Sequence, residues 1–177
     1  MPAYKTAIRI LYIFIVFYTL NLTAQQADFP KTWQGTWKGT LEIYSPNGKV
    51  IHSVPMELHI APLISGRWTW KTTYDNKDIR DYELVTINAE KGQYQIDEKN
   101  DILLDLRLFG NKSFTCFEVD GYQIYDSYTF EKDTIIFELT SSAPGQETKS
   151  GTGTEGSPVV TSTPQIAYQK AILKKIK

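Results

Sequence analysis

The stretch Trp33-Gln-Gly-Thr-Trp-Lys-Gly-Thr-Leu-Glu-Ile43 decides the fold, because its apolar and polar residues alternate with a period of two. The apolar and small residues all fall on one face, namely Trp33, Gly35, Trp37, Gly39, Leu41 and Ile43. Such alternation is typical of a β-strand that has one face against a core. The following Ser45-Pro-Asn-Gly48 contains the residue types that reverse a chain. The stretch therefore predicts a first strand that ends in a tight turn.

The same alternation continues outward from this stretch as far as residue 140. It predicts eight more strands, at residues 50–60, 68–74, 79–88, 93–97, 102–109, 112–119, 123–131 and 134–140. Asp120-Gly121 between two of them is a strong hairpin signal. A tenth apolar segment, 165–173, contains Ala and Lys residues that also permit a short helix, but Ile166, Tyr168 and Ile172 favour a strand.

These strands predict an all-β fold, since almost no helical periodicity interrupts them between residues 30 and 160. Short strands joined by tight turns form an antiparallel meander. About eight to ten strands with one apolar face close most economically into an up-and-down barrel, which removes the sheet edges. A two-sheet sandwich is the alternative. The interior of a barrel of this size holds packed side chains or one small ligand.

The first 24 residues have the order of a secretory signal peptide. Lys5 and Arg9 precede an apolar run at residues 10–20, and a short polar segment leads to Ala24, after which we expect cleavage. An uncleaved anchor is the alternative, but the run is shorter than the ~20 residues of a membrane-spanning helix. We therefore expect export to the periplasm or the exterior, with no membrane span left in the mature chain.

The remaining residues, 25–177, read as a single barrel domain with one long loop. Residues 142–164 are rich in Ser, Thr, Gly and Pro and carry almost no apolar content before Val159. A loop of this length is uncommon in a compact domain, so we predict that it is flexible.

Composition excludes several classes of function. The chain has 19 basic and 20 acidic residues, a net charge of -1, which argues against nucleic-acid binding. Its single cysteine, Cys116, cannot form an intrachain disulfide, and we expect a buried, inert thiol there. His52 and His59 are the only histidines, and seven residues along a strand place them on opposite faces. We therefore predict neither a metal site nor a cofactor.

Gly35-Thr36-Trp37, at the start of the first strand, resembles the Gly-x-Trp motif of the lipocalin and wider calycin barrels. In that family the glycine lets the strand bend as the barrel closes, and the Trp plugs the closed end. The resemblance implies these barrel-closing roles for Gly35 and Trp37. It also implies that a basic residue near the last strand, here Lys170 or Lys174, lies over the Trp.

The longer run Trp33 to Gly39 is also similar to the start of nitrobindin-like and fatty-acid-binding-like barrels. Nitrobindin-like barrels bind haem through a histidine late in the chain, and no histidine follows His59, so haem is not expected. What the resemblance implies for this chain is the fold and a ligand cavity.

Several polar residues fall on strand faces that otherwise read as interior. His52 shares a face with Val54 and Met56, Arg80 with Tyr82, Glu118 with Phe114 and Cys116, and Asp126 with Ile124 and Tyr128. Such groups need partners when they are buried. They pair with one another, or they line a wet cavity, or the face assignment is off by one residue, as a bulge near Pro55 would cause for His52. The candidate ligand-binding residues are His52, Arg80, Tyr82, Tyr94, Glu118 and Tyr128.

Three functions compete at this point. The first is binding of a small hydrophobic or amphipathic molecule in the barrel, with Arg80 and tyrosine hydroxyls holding an acidic head group. The second is an envelope or interaction module with a solid core, in which Arg80 is a structural partner of Glu118 or Asp126. The third is an enzyme that uses His52 with an interior carboxylate, Glu118 or Asp126. A cavity that reaches solvent favours the first over the second.

Overall fold

The computed structural model describes residues 28 to 176 and confirms the antiparallel up-and-down barrel. After a short 3-10 turn at Lys31–Trp33, the strands are β1 (Gly35–Tyr44), β2 (Val50–Ile60), β3 (Arg67–Tyr74), β4 (Asp78–Asn88), β5 (Gln93–Asp97), β6 (Leu103–Phe109), β7 (Lys112–Val119), β8 (Tyr122–Glu131), β9 (Thr134–Ser142), β10 (Thr148–Ser150), β11 (Val160–Ser162) and β12 (Ala167–Lys175). Ten of them form one closed barrel in the order β1-β12-β9-β8-β7-β6-β5-β4-β3-β2. The tenth apolar segment is therefore a strand, and the two-sheet alternative is wrong.

The barrel has two different ends, because its strands run alternately up and down. One end holds the start of β1 and the turns that join β2 to β3, β4 to β5, β6 to β7 and β8 to β9. We call this the plugged end. The open end holds the turns β1–β2, β3–β4, β5–β6 and β7–β8, together with the connection from β9 to β12.

Residues 28–34 fill the plugged end. Phe29 and Trp33 are buried there, with ring centroids 4.8 Å apart, and Phe29 is also 4.8 Å from the ring of Tyr94. The Tyr94 hydroxyl donates a hydrogen bond of 3.2 Å to the carbonyl oxygen of Phe29. The indole N–H of Trp37 donates one of 2.9 Å to the carbonyl oxygen of Trp33. Aromatic packing and these two hydrogen bonds thus close this end with a plug formed by Phe29, Trp33, Trp37 and Tyr94.

Trp37 has the position that the calycin resemblance implies, but a different lysine lies over it. The Nζ of Lys175 is 5.2 Å from the centroid of the Trp37 ring, a cation–π geometry. Lys170 and Lys174 were the wrong candidates, because on β12 the odd positions, such as Ala171, face inward.

The two glycines of β1 allow close approach at this side of the barrel. A Cβ on Gly39 would lie 2.2 Å from the carbonyl oxygen of Ile172 on β12, so a larger residue would push the two strands apart. Gly35 has φ of +144°, a conformation that L side chains rarely adopt. A residue with a side chain would therefore be strained at position 35.

The predicted inner face of β7 is wrong. Ser113 and Thr115 are buried, whereas Phe114 is 43% exposed and Cys116 and Glu118 lie on the outer surface. Both faces of this strand carry apolar residues, so its alternation does not specify a side. Its pairing with β8 does, and this pairing makes Cys116 an exposed thiol rather than a buried one.

Part of the predicted loop 142–164 is ordered as a hairpin. β9 extends through Ser142, and β10 pairs with β11 in a separate two-stranded sheet whose residues are all exposed. The hairpin leaves the barrel at the open end. The flexibility of residues 142–164 stays a prediction.

The predicted signal segment, residues 1–24, lies outside the described residues. Among residues 28 to 176, no helix is long and apolar enough to cross a membrane.

Candidate ligand cavity

A cavity of about 390 Å³ occupies the half of the barrel nearer the open end. Its apolar wall includes Trp70, Ile96, Leu104, Leu106, Phe117 and Phe137. Its polar groups include Tyr74, Arg80, Tyr82, Glu98, Asp126 and Tyr128. An apolar pocket with a few convergent polar groups is the usual form of a small-molecule site.

Trp70 separates this cavity from the plug. It is buried, and its ring meets that of Trp33 at 6.4 Å on one side and that of Tyr128 edge-on at 5.2 Å on the other. Tyr128 also packs on Phe137, with centroids 4.9 Å apart. These rings form the floor of the cavity, so the cavity does not run through the barrel.

Asp126 places a carboxyl group in this wall. On β8 it faces inward, opposite Thr115 of β7 on one side and Leu139 of β9 on the other. Burial raises the pKa of Asp126 from 3.8 to about 6, and the neighbouring Thr115 hydroxyl offsets only part of that increase. None of the ion pairs within residues 28 to 176 includes Asp126. The carboxyl is therefore left without a cationic partner in this part of the chain.

Three tyrosine hydroxyls share the cavity with Asp126. Loss of hydration is the largest cause that raises the pKa of Tyr74, Tyr82 and Tyr128, and for Tyr128 the increase is large. The hydroxyl groups of all three tyrosines therefore stay protonated at neutral pH. They offer neutral hydroxyls that both donate and accept hydrogen bonds.

The buried hydroxyls of Ser113 and Thr115 make no hydrogen bond of good geometry among the described residues, although Thr115 is close enough to Asp126 to lower the pKa of its carboxyl. Ser113 lies opposite Tyr128 and Thr115 opposite Asp126, so the four side chains form a polar strip along β7 and β8. A buried hydroxyl without a partner is unfavourable by about 1–3 kcal/mol. The strip therefore has unused capacity for hydrogen bonds.

Arg80 lies at the rim and is held by a neighbour on its own strand. Its guanidinium contacts both carboxylate oxygens of Asp78 at 3.2 Å, and half of the side chain is exposed. Asp78 is also the main cause that raises the pKa of Arg80, followed by the Tyr82 hydroxyl. The structural partnership of Arg80 with Glu118 or Asp126 is not present, since Asp78 takes that place.

Five of the six candidate ligand-binding residues separate into three groups, and the sixth, His52, lies apart from all of them. Arg80, Tyr82 and Tyr128 line the cavity, whereas Tyr94 is part of the plug. Glu118 lies outside the barrel, because the face of β7 was assigned wrongly.

His52 shares the inward face of β2 with Val54 and Met56, as predicted, but it lies beyond the barrel wall. Only residues 56–59 of β2 pair with β3, so the earlier part of β2 extends past its neighbour and His52 is exposed. The bulge in this hairpin lies opposite Ile43 and Tyr44 rather than near Pro55.

The structure does not bring together the groups of the enzyme hypothesis. His52 lies opposite Ile43 on β1, and Glu118 lies on the outer face of β7 opposite Gln123. Asp126 is inside the cavity, whose lining does not include His52. Within residues 28 to 176, no three His, Cys, Asp or Glu side chains converge as metal ligands would.

Sequence reasoning missed Tyr74, Glu98 and Thr115 as cavity residues. Tyr74 was detectable, because it continues the inward face of Trp68 and Trp70 on β3. Glu98 follows the last residue of β5 in a turn, and the sequence carries no signal that a turn residue reaches the cavity. Thr115 was missed because the sequence analysis assigned the opposite face of β7 to the interior.

Comparison with known proteins finds similarity in structure only. The sequence matches no protein-family model and no curated protein. A crystal structure of a protein of unknown function from the DUF3598 family of Nostoc punctiforme matches with a TM-score of 0.59 and 11% identity, over 86% of this chain and 49% of that one. This chain thus spans about half the length of that protein. The match supports the barrel fold.

Two further structures match over most of both chains. A mutant of the fluorescent protein UnaG gives a TM-score of 0.46 at 11% identity, over 83% of this chain and 99% of that one. The protein EF1p2_mFAP2b bound to DFHBI gives a TM-score of 0.35 at 10% identity, over 88% of this chain and 98% of that one.

Proposed function

We propose that this protein binds a small, partly apolar molecule in the cavity at the open end of its barrel. The observation that supports this is the cavity itself, about 390 Å³ in volume, with apolar walls and a few polar groups that include the Asp126 carboxyl and the Thr115 hydroxyl. Its size lies within the range of small-molecule sites, about 300–1,000 Å³.

The positions of the four tryptophans argue against the alternative of a solid core. Trp33 and Trp37 are in the plug and Trp70 forms the floor of the cavity. Trp68 packs against the core at the side of the plug. The four rings fill one half of the barrel and leave the other half with space. We therefore favour a binding protein over an interaction module, and over an enzyme that depends on His52.

A cavity-filling variant tests this proposal with a matched control. Leu104 lines the cavity, while the adjacent Leu103 is 55% exposed on the outer face of the same strand. We expect the neutral solvatochromic dye prodan to shift to the blue with the wild type and with Leu103→Trp. With Leu104→Trp the dissociation constant should rise about tenfold or more, since the loss of about 1.4 kcal/mol gives a factor of ten.

The proposal fails if the wild-type protein causes no blue shift at saturating concentration. It also fails if Leu104→Trp and Leu103→Trp bind the dye equally well while both variants keep the wild-type circular dichroism spectrum.

We further propose that the chain is exported and that its signal peptide is removed after Ala24. Support comes from the sequence alone, from the basic residues, the short apolar run and the small residue at the cut. Intact mass spectrometry of the exported protein should give a chain that begins at Gln25 or within about two residues of it. Recovery of the full-length chain from the membrane fraction would contradict this.

A further inference from the structure

We propose that the ligand of this cavity carries a basic amine, and that its ammonium group binds the Asp126 carboxylate. This inference rests on the proposed function and deepens it, because it names the chemical class of the ligand. The cavity would then select cationic amphipathic molecules over acids and alcohols of the same size.

The position of Asp126 supports this choice. The residue lies on the inward face of β8, in the cavity wall, with Thr115 on one neighbouring strand and Leu139 on the other. It forms no ion pair within residues 28 to 176. An ionised carboxylate that is removed from water needs a cation or several hydrogen-bond donors. A ligand ammonium group would supply both.

The groups around Asp126 complete an acceptor site. The Thr115 hydroxyl lies in the cavity wall across the strand pair from Asp126 and makes no hydrogen bond of good geometry among the described residues, although it is close enough to lower the pKa of the Asp126 carboxyl. Tyr128 lies two residues along β8 and adds another hydroxyl oxygen to the cavity. An ammonium group has three N–H donors and no acceptor. The Asp126 carboxylate and the hydroxyl oxygens of Thr115 and Tyr128, all in the cavity lining, match that requirement.

The charges that face the cavity disfavour an acidic head group. Among residues 28 to 176, Arg80 of β4 is the only cationic residue of the cavity lining, and it is half exposed at the rim, where it pairs with Asp78. Glu98, which follows β5, adds a second carboxyl group. The other titratable groups that face the cavity are Tyr74, Tyr82 and Tyr128, which are neutral. An acid that enters far enough to bury its tail would place its own carboxylate in a site with no free cation from this part of the chain.

The inference predicts how binding depends on pH. The ionised form of Asp126 binds an ammonium group, and the protonated form does not neutralise it. Because burial raises the pKa of Asp126 to about 6, affinity for an amine should increase as the pH rises through that value. Affinity for a neutral alcohol should not increase over the same range.

Calorimetric titration with octylamine, octanol and octanoate tests the inference, because the three probes share one alkyl chain. At neutral pH the wild type should bind octylamine about ten- to a hundred-fold more tightly than octanol, as expected for a charge-assisted hydrogen bond. Asp126→Asn should abolish this preference and leave octanol binding in place. Asp105→Asn is the matched control, since Asp105 is exposed on the outer face of β6 and its loss changes the net charge equally.

The outcomes separate this inference from the proposed function. Binding of octanol without any preference for octylamine would overturn the inference and leave the binding function standing. A preference for octanoate that Arg80→Ala removes would also overturn it, in favour of an acidic head group. If neither the three probes nor prodan binds, the proposed function fails as well. Loss of the amine preference in Asp105→Asn would assign the effect to net charge and overturn the inference.

Discussion

Trp37→Ala is expected to lower the free energy of unfolding by about 3–5 kcal/mol, as for other large-to-small core substitutions. Trp37 is 0% exposed and belongs to the plug, where β1 begins. The change removes its hydrogen bond to the Trp33 carbonyl oxygen, its edge contact with Phe130 at 5.8 Å, and the ring beneath Lys175. It also leaves a cavity that the closed strands cannot easily collapse to fill.

Urea denaturation followed by circular dichroism measures this loss. Phe109→Ala is the matched control, because it removes an aromatic ring that is 64% exposed on the outer face of β6. The control should change stability by about 0.5 kcal/mol or less, as surface substitutions usually do. Equal losses in the two variants would show that the plug does not hold the barrel closed.

The second large effect concerns Asp126→Asn in the free protein, and it depends on pH. The pKa of Asp126 is raised from 3.8 to about 6 by burial, so the folded state holds a proton that the unfolded state has released. At about pH 3 or below, under the unfolded value of 3.8, both states are protonated and the carboxyl does not lower the stability of the folded state. As the pH rises through 6 the folded protein loses up to about 3 kcal/mol of stability, because a pKa difference of one between the folded and unfolded states corresponds to about 1.36 kcal/mol.

Asparagine carries no charge and avoids this loss. Asp126→Asn should therefore unfold at the same urea concentration as the wild type near about pH 3 and at a higher one near about pH 8. This gain in the free protein accompanies the loss of amine binding proposed above, since the same ionised carboxyl favours the bound amine and lowers the stability of the free protein. A difference between the two proteins that does not vary with pH would refute the buried, unpaired carboxylate.

Two other carboxyl groups affect stability in a different pH range. Hydrogen bonds from Arg67 hold the pKa of Glu83 below its usual value, and the backbone N–H of Lys99, followed by Arg67, does the same for Asp97. A lowered pKa gives stability that is present above the unfolded value and lost as the pH falls. Because this loss occurs in both proteins, it cancels in the difference between wild type and Asp126→Asn.

Strand positions were predictable because their signals are local. The bounds of β2, β5 and β7 agree with the sequence analysis at both ends. In each case alternating side chains end at a cluster of Gly, Asn, Asp or Pro, the residue types that reverse a chain. Closure into a barrel was predictable for a related reason, since a meander of this many strands leaves two edges that closure removes.

Strand faces were predictable only where one face was distinctly apolar. On β1 the inward residues are aromatic, aliphatic or glycine and the outward ones are polar, so the face was assigned correctly. On β7, Phe114 and Phe117 fall on opposite faces and periodicity gives no preference. Pairing with β8, which places Thr115 opposite Asp126, decides which of them is inside.

The sequence by itself therefore determined the strands, their antiparallel order and the tryptophan motif that closes one end, because each depends on residues close together along the chain. Only the tertiary structure decided where the polar residues lie. His52 and Asp126 both belong to inward faces, yet His52 is beyond the barrel wall and Asp126 is inside the cavity. The difference depends on how far each strand extends past its neighbours and on where the plug ends. Those distances are properties of the closed barrel, to which all ten strands contribute.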